Sequence, residues 1–535
     1  MKLLKTSVVA SDGVAFGRAF VVKRNQARVE REQGSVEQES ELFAAALSQS
    51  REQIALLAAD SDIFAAHLEI IDDEMLSETV LANINDGQSA DSAVVMASEE
   101  LVAVFEAIDD EYLAARAADV KDIFARIAAN LAGGVVNPFE GVEDGDIIVD
   151  SELLPSDMAL LDFSKIRGFI TSQGSATSHV CIIARNMSIP AVVGLGDAVS
   201  EIATGDRVIL DGCDSTVVVN PDIDTEQSYR VLQQNYLALQ AEQQQMAGLQ
   251  ISYNGEPIAV LANAGSVEEV EKAIEAGADG IGLFRSEFIY MHSTTEPTEE
   301  EQYQIYSAAV KACNGRPITI RTLDIGGDKA VPYLGFPSED NPFLGWRAIR
   351  VSLECRDMFS RQLRALLRAS AEGDLRVMFP MVVSLDELLE AKSLIEQCKA
   401  ELAAEGVAYN PDIKVGVMIE TPAAVLVADS LAANCDFFSI GTNDLVQYVM
   451  AADRANAKVS YLYDAYSPAV MRAIEMVIAA ADSAGIECSM CGELASDSAA
   501  TERLLAMHLR KYSVNIGAVC KIKYELNQLI NQNEK

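Results

Sequence analysis

Basic and aromatic residues are scarce in this chain of 535 residues. Lys and Arg number 41 against 81 Asp and Glu, which leaves a net charge of −40, and aromatic residues make up 6% with a single Trp. So large an acidic excess disfavours nucleic acid or an anionic membrane as a partner, because both carry the same sign of charge. It favours a small basic partner protein, although a solvated acidic surface explains the same composition equally well.

Long apolar runs and paired cysteines are missing as well. No uninterrupted apolar stretch reaches the roughly 18 residues that a transmembrane helix needs, and the amino terminus lacks the hydrophobic core of a signal peptide. Nine scattered cysteines, an odd number, are typical of a reducing compartment, so we expect a cytoplasmic protein. Cys488 and Cys491 have CxxC spacing, but without a second pair they are weak evidence for zinc.

Histidine is the scarcest titratable residue, at positions 67, 179, 292 and 508. Only His179 lies in a loop suited to an anion: small residues at 174–178 precede it, and an apolar segment at 180–185 follows. Small residues let a bulky anion approach the backbone, and the free N–H groups at a helix start favour negative charge. His179 could then be a metal ligand, an acid or base, a phosphoryl acceptor, or a loop residue without chemistry. Metal ligation is disfavoured because Cys181 is the one further histidine or cysteine at ligand spacing from His179, and a metal site needs more ligands than these two.

Strand and helix patterns divide the first part of the chain into an α/β domain and a helical insertion. We expect strands at 7–10, 19–22, 147–149, 168–171, 191–193, 208–210 and 217–219, with a helical pattern from 36 to 131. The helical block is thus inserted into the domain that carries His179. An inserted bundle without chemical groups of its own suits a docking surface, with a structural spacer as the alternative. A charged, Gln-rich linking helix is expected at 222–248.

From residue 257 onward, eight apolar strands alternate with helical stretches. The strand candidates lie at 258–263, 280–284, 318–322, 376–381, 415–419, 437–440, 487–490 and 512–516. Helical stretches such as 267–276, 385–405 and 423–433 separate them. This alternation predicts a (β/α)8 barrel.

Polar and charged residues collect where these strands are expected to end. They are Asn263, Arg285, Glu287, Arg321, Asp324, Glu420, Asn443, Asp444, Cys491 and Glu493. The carboxyl ends of barrel strands build the active site, whereas the barrel interior itself needs only branched apolar residues. Arginines grip carboxylate or phosphate oxygens as a fork, and carboxylates suit Mg²⁺. We therefore expect a bound anion and a divalent cation at this rim, with ordinary ion pairs as the alternative.

Two sets of motifs resemble the phosphoenolpyruvate-utilising enzymes, and within them the enzyme I family of the sugar phosphotransferase system. The first set, Thr177-Ser178-His179 with Ala184-Arg185 and the segment 189–194, is similar to the family's phosphohistidine segment. The second set comprises the segments 282–288, 321–329, 341–350, 419–424, 439–445, 453–454 and 490–495. The chain departs from the family pattern at Ser175, Ala176, Val180 and Ser286.

The resemblance implies an α/β multidomain fold with a swivelling phosphohistidine domain and a (β/α)8 barrel. The implied domains are an α/β domain at 1–220 with a helical carrier-binding insertion at 26–140, a linker helix at 221–250, and a phosphoenolpyruvate-binding, dimerising barrel at 251–535. The implied reaction is Mg²⁺-dependent transfer of a phosphoryl group from phosphoenolpyruvate to His179 with release of pyruvate. The group then passes to a histidine of the carrier protein HPr at the head of sugar uptake.

The resemblance also implies a role for each site residue. His179 and Cys491 are the implied catalytic residues, Arg285, Arg321, Asn443, Asp444 and Arg454 the substrate-binding ones, and Glu420 and Asp444 the metal ligands. Cys491 would be the acid that protonates the enolate of pyruvate. We expect neither a nucleic-acid partner nor insertion into a membrane. We do expect a homodimer.

Other functions stay open from the sequence. A paralogous phosphotransferase of a nitrogen-regulatory or dihydroxyacetone branch would use the same residues, but we expect neither a regulatory nor a fused carrier domain. Pyruvate–phosphate dikinase and phosphoenolpyruvate synthase need a nucleotide-binding domain, for which we expect no room. A carbon–carbon lyase barrel acting on a pyruvate enolate would leave His179 idle. A non-catalytic scaffold would have no use for the arginines, the carboxylates and the cysteine.

Overall fold

The computed structural model describes residues 1–6, 8, 10–22, 34–58, 62–106, 111–133, 137–174, 179–187, 189–291, 293, 295–326, 331–336, 339–454, 456 and 458–533. The chain forms two compact units, Met1–Ala238 and Leu239–Lys535. Each unit has buried apolar clusters of its own. Within the described ranges, no helix is both long enough and apolar enough to cross a membrane.

A seven-stranded sheet forms the centre of the first unit. Its strands are β1 (Lys2–Lys5), β2 (Val14–Val21), β3 (Asp146–Asp150), β4 (Ile166–Thr171), β5 (Ala191–Val192), β6 (Arg207–Asp211) and β7 (Thr216–Val219). They follow the order β1-β7-β6-β2-β3-β4-β5, parallel from β2 to β5 and antiparallel elsewhere. Because side chains alternate along a strand, Ile148 enters one apolar cluster while Ile147 and Val149 enter another. The sheet is therefore covered on both faces.

Five helices lie between β2 and β3 as an insertion. They are α1 (Val36–Ala58), α2 (Asp62–Ile71), α3 (Glu74–Asn85), α4 (Ala90–Glu106) and α5 (Glu111–Leu131). Their apolar faces form a separate cluster that includes Phe43, Ile54 and Phe124. The remaining helices of this part are α6 (Pro155–Leu160) after β3, α7 (His179–Asn186) after β4, and α8 (Ile223–Gln244) after β7.

Eight parallel strands close into a barrel in the second unit. A short strand β8 (Ile251–Tyr253) precedes them and pairs antiparallel with the first. The barrel strands are β9 (Glu256–Ala264), β10 (Ile281–Arg285), β11 (Ile318–Arg321), β12 (Leu375–Phe379), β13 (Lys414–Ile419), β14 (Phe437–Ile440), β15 (Glu487–Met490) and β16 (Lys511–Val514). β16 pairs with β9, which closes the ring.

Helices follow most of the barrel strands. They are α9 (Val267–Glu275), α10 (Glu287–Met291), α11 (Glu299–Ala312), α12 (Ile349–Glu354), α13 (Arg356–Ala369), α14 (Leu385–Glu405), α15 (Pro422–Leu426), α16 (Ala428–Ala432), α17 (Thr442–Met450), α18 (Pro468–Ala484), α19 (Ser498–Ala506) and α20 (Val519–Asn533). Local sequence sets their ends. In α14, Ser384 and Glu387 form a capping box at the start, and Gly406 ends the helix at a φ of 73°.

The eight predicted barrel strands are confirmed, whereas two other elements differ from expectation. The strand predicted at 7–10 is wrong: residues 7 and 9 lie outside the described ranges, Val8 and Ala10 belong to no strand, and β1 comes earlier. The helix predicted at 423–433 is two short helices, separated at Val427 with a φ of −114°. The linking helix coincides with α8, while the domain boundaries at 220 and 250 stay predictions.

Candidate active site

One pocket at the carboxyl ends of the barrel strands contains every site residue that the sequence predicted in this unit. These are Arg285, Arg321, Glu420, Asn443, Asp444, Arg454 and Cys491. The pocket has a volume of about 330 Å³. Arg285 and Arg321 end β10 and β11, Glu420 and Cys491 directly follow β13 and β15, and Asn443 and Asp444 lie in the first turn of α17 after β14. Parallel strands in a closed ring bring these positions together.

Two buried arginines are held by a shared set of carboxylates. Arg321 donates from Nη2 to Glu287 Oε1 over 2.6 Å, and its Nη1 lies 3.0 Å from Asp324 Oδ2. Arg347 Nη2 lies 3.0 Å from Asp324 Oδ1 and 3.4 Å from Asp444 Oδ2. Burial alone would lower the pKa of both arginines, but the facing carboxylates raise it well above the ordinary value. Both guanidinium groups therefore stay charged and fixed in place.

Arg285 and Arg454 are less constrained than the buried pair. The guanidinium carbon of Arg285 lies 5.1 Å from the centre of the Phe288 ring, and its buried Nε donates to no residue of the described chain. Arg454 Nη1 lies 3.7 Å from Asp444 Oδ1, and its side chain is 37% exposed. Both can therefore turn donors toward an anion in the pocket.

Negative charge is crowded around Glu420. Burial, followed by the nearby Asp444 and Asp324, raises the pKa of the Glu420 carboxyl to about 8. Its Oε1 accepts a bond from the Met381 N–H over 2.6 Å. Asp444 Oδ1 is buried and accepts no hydrogen bond from the residues that the structure describes. Crowded carboxylates with an unsatisfied oxygen fit a divalent cation, which would relieve their mutual repulsion.

The carboxylates alone do not make a complete metal cage. Across the described ranges, no group of three or more His, Cys, Asp or Glu side chains is placed to hold a metal ion. Mg²⁺ usually takes one or two protein carboxylates and completes its octahedron with water and substrate oxygens. Glu420 and Asp444 fit that pattern.

Cys491 presents a neutral thiol to the pocket. Burial raises the pKa of the Cys491 thiol to about 11, so it keeps its proton at neutral pH. Its sulfur makes a long contact, 3.7 Å from the carbonyl oxygen of Ile440. A protonated thiol near Arg321 is available as an acid.

Gly492, the residue after the thiol, packs against the start of α17. A Cβ at this position would lie 1.8 Å from Thr442 Oγ1 and 2.6 Å from the Thr442 nitrogen, so only glycine fits. The next residue, Glu493, donates its N–H to Asn443 Oδ1 over 2.9 Å. The cysteine loop thereby fixes the amide of Asn443, and both belong to one rigid rim.

His179 is the first residue of α7, in the first unit. The apolar segment at 180–185 is thus helical, which is the condition under which the sequence favours an anion at His179. The loop at 175–178 and the side chain of His179 lie outside what the structure describes, so the expected anion-binding loop stays a prediction. Val180, Cys181 and Ala184 of the same helix are buried against the sheet.

Arg347 is a charged pocket residue to which the sequence analysis gave no role. It lies 26 positions after the end of β11, and a bridge between Gly326 and Arg347 returns it to the rim. Ala348, the next residue, has a φ of 55°, which is rare for a residue with a side chain. The sequence signal for Arg347 was the segment 341–350, which resembles the family pattern as a whole and gives no role to a single residue.

Comparison with known proteins agrees with this geometry. Three family profiles match: the PEP-binding domain of PEP-utilising enzymes at residues 239–530, their mobile domain at 142–214, and their N-terminal domain at 6–116. The phosphoenolpyruvate-protein phosphotransferase of Priestia megaterium is 40% identical over 534 residues, which cover 98% of this chain and 93% of the relative. Those of Geobacillus stearothermophilus and Bacillus subtilis (strain 168) are 41% and 39% identical, with 98% of this chain and 93% and 94% of the relatives covered. This chain belongs to the phosphoenolpyruvate-protein phosphotransferase family.

Membership of the phosphoenolpyruvate-protein phosphotransferases confirms the resemblance to enzyme I drawn from the sequence motifs. It also confirms the predicted fold class, with a mobile-domain match around His179 and a PEP-binding match over the barrel.

Proposed function

We propose that this chain transfers the phosphoryl group of phosphoenolpyruvate to His179, releases pyruvate, and passes the group to a histidine of a carrier protein of the HPr type. The observation that carries the proposal is the barrel pocket. There, charged arginines, two carboxylates that suit a divalent cation and a neutral thiol line one cavity. Membership of the phosphoenolpyruvate-protein phosphotransferases supports the same reaction.

The arginines are proposed to hold the substrate. Phosphoenolpyruvate carries a phosphate and a carboxylate, and both accept forked bonds from guanidinium groups. Arg321 is fixed by its carboxylate partners and serves as a rigid anchor, while Arg285 and Arg454 turn toward the bound anion. Asn443 donates to the phosphate, and Arg347 adds positive charge beside Asp444. Phosphoryl transfer asks mainly for alignment and charge stabilisation, which such a clamp supplies.

Glu420 and Asp444 are the proposed ligands of Mg²⁺. When bound, the ion neutralises charge on substrate oxygens that builds up during the reaction. Both residues would then be ionised, with Arg321 and Arg347 balancing the remaining charge. The fit rests on the crowded carboxylates and on the unsatisfied Asp444 Oδ1 of the described site.

The chemistry divides between His179 and Cys491. A neutral imidazole nitrogen of His179 attacks phosphorus in line, and the bond from phosphorus to the enol oxygen breaks. The leaving group is the enolate of pyruvate. Cys491 gives its proton to the enolate carbon, and the thiolate recovers a proton from water. Because His179 belongs to the other unit, that unit must reach the barrel pocket and afterwards present the phosphohistidine to the carrier.

The helical insertion is the proposed docking surface for the carrier. The chain is strongly acidic, with a net charge of −40, which attracts a basic partner. We propose in addition that the protein acts in the cytoplasm and forms a homodimer through the barrel domain.

The dependence of pyruvate release on the carrier tests this function. Without carrier, phosphoenolpyruvate and Mg²⁺ should give a burst of about one pyruvate per chain and then stop, because His179 remains phosphorylated. Added HPr should restore continuous turnover. Continuous pyruvate release without any carrier would show transfer of the phosphoryl group to water, which is a phosphatase reaction, instead.

A further inference from the structure

The loop that carries Cys491 is held from both sides of the barrel rim. The Cys491 N–H donates over 3.0 Å to the carbonyl oxygen of Ile440, which ends β14. The Cys491 carbonyl oxygen accepts a bond from Asn263 Nδ2 over 3.1 Å. Asn263 belongs to β9, which lies two strands from β15 in the order β15-β16-β9. The main chain at Cys491 is thus tied to β14 on one side of its own strand and to β9, beyond β16, on the other.

Ser513, on the intervening strand β16, fixes the orientation of the Asn263 amide. Its hydroxyl donates to Asn263 Oδ1 over 2.6 Å, and the residue is 0% exposed. A backbone carbonyl can only accept, so the Asn263 amino group must face Cys491 and its oxygen must face Ser513. Gly282 on β10 leaves room for the serine, since a Cβ there would lie 2.4 Å from Ser513 Oγ. Three strands therefore cooperate in placing one amide.

We propose that Asn263 and Ser513 are positioning residues that aim the Cys491 thiol at one face of the enolate carbon. The inference rests on the proposed function, in which Cys491 is the acid. In that step the S–H bond breaks and a C–H bond forms at the methylene carbon of the enolate. The C2–O bond becomes the ketone of pyruvate, and the thiolate takes a proton from water.

The weak bonding of the thiol itself is the reason that its loop needs support. The contact from the Cys491 sulfur to the Ile440 carbonyl oxygen is 3.7 Å long, and thiols are weak donors. The position of the sulfur in the pocket therefore depends chiefly on the main chain at Cys491. Asn263 lines the pocket and holds that main chain, while Ser513 acts through Asn263.

The configuration of the methyl group formed in pyruvate tests this role. Phosphoenolpyruvate with deuterium at one methylene position is turned over in tritiated water with HPr, and the pyruvate is reduced at once to lactate. The wild-type enzyme should deliver hydrogen to one face and give one methyl configuration. In Asn263→Ala, Asn263→Asp and Ser513→Ala we expect a nearly racemic methyl group. Pyruvate formation should be about tenfold slower, because the loss of one hydrogen bond is worth about a factor of ten in rate. The KM for phosphoenolpyruvate should change less than about twofold, because the arginines still bind it.

Two controls distinguish a positioning role from a general loss of structure and from a failure of the acid role. Ser370→Ala removes another buried hydroxyl, which donates to the Leu367 carbonyl over 2.6 Å outside the pocket, and should keep the wild-type configuration. If variants of both Asn263 and Ser513 keep the wild-type methyl configuration, the inference is overturned. If Cys491→Ala loses that configuration in the same experiment, the acid role of Cys491 and the proposed function still stand. If Cys491→Ala itself retains the wild-type configuration, the acid role of Cys491 fails. Asn263→Asp and Ser513→Ala are small changes, so the test stands if Asn263→Ala does not fold.

Discussion

Single carboxylates decide how the arginines of the barrel pocket are held. Asp324 contacts both Arg321 and Arg347, and Glu287 bonds the second amino group of Arg321. These pairs are buried, so removing one carboxylate leaves a buried guanidinium with one partner fewer and costs up to about 3–5 kcal/mol. The carboxylates around Arg321 therefore serve the site by fixing a cation, and substitutions of them test stability together with catalysis.

Replacement of Cys491 by Ala should separate binding from chemistry. A general acid contributes about 10²–10⁴ in rate, so kcat for pyruvate release should fall within that range while the KM for phosphoenolpyruvate stays nearly constant. The measurement is steady-state pyruvate release with HPr present. Cys313→Ala, which removes a fully buried thiol outside the pocket, is the matched control and should keep its turnover. Equal rates in both variants would assign the proton to another donor.

Asp444→Asn should weaken the binding of Mg²⁺. Loss of one charge at about 4 Å is worth about 4 kcal/mol near a protein surface, so affinity should fall by about 1,000-fold. Titration calorimetry with Mg²⁺ measures the change, and labelling of His179 should slow in parallel. Asp412→Asn alters the net charge equally at an exposed position and should have no effect. If EDTA leaves the wild-type rate unchanged, the carboxylates have another purpose.

At the scale of elements, the barrel uses charge at both ends for different purposes. At the amino end, Glu487 begins β15 and contacts Arg376 of β12, Lys414 of β13 and Lys511 of β16. The partial burial of Glu487 alone would raise its pKa, but the three cations outweigh it and lower the pKa to about 2. This cluster lies opposite the pocket and ties four strands together.

Glu487→Gln should therefore lower stability without lowering activity. The ordinary pKa is 4.5 and the folded value about 2, so the ionised carboxylate stabilises the fold above pH 4.5, and that contribution disappears as the pH falls toward 2. We expect a loss of about 1–3 kcal/mol at pH 7 and a smaller difference at pH 3. Urea unfolding at both pH values measures it. An equal loss of unfolding free energy at both pH values would mean that Glu487 stabilises the fold by packing and not by its charge. Reduced phosphoryl transfer at pH 7 would show that the two ends of the barrel are coupled.

The sequence predicted the barrel strands to within two residues at either end, and the physical reason is burial. Strands covered on both sides are continuous apolar runs, which stand out between helical patterns. The first strand was misplaced because β1 is an edge strand in which only Leu4 is buried, so it has almost no apolar pattern. Strand ends revealed most of the pocket. The role of Arg347 was not predicted because its place depends on a long-range bridge. The role of Ser513, which contacts the pocket residue Asn263, was not predicted because Ser513 lies inside a strand.

At the scale of the whole molecule, the steps of the proposed reaction are divided between the two compact units. The first unit holds His179 and the helical insertion, while all the pocket residues belong to the second. Each unit has its own buried core and should fold alone. Neither unit should complete the reaction without the other.

Two fragments test that division. The fragment 1–238 should accept a phosphoryl group from phosphorylated HPr, because docking needs only the insertion and the histidine loop, but none from phosphoenolpyruvate. The fragment 239–535 should bind phosphoenolpyruvate and Mg²⁺ without being phosphorylated. Calorimetry and autoradiography measure these outcomes. Direct labelling of the first fragment by phosphoenolpyruvate would mean that the substrate site does not lie in the barrel.

The most direct test of the central claim is the position of the phosphoryl group after one turnover. The full chain is mixed with phosphoenolpyruvate labelled with ³²P and with Mg²⁺, then digested and mapped. We predict one labelled residue, His179, with a linkage that is labile in acid and stable in base, as a phosphoramidate is. His179→Ala should take no label and still bind phosphoenolpyruvate, whereas the control His508→Ala should be labelled like the wild type. Label that persists in His179→Ala, or label on another residue, would contradict the proposed transfer to His179.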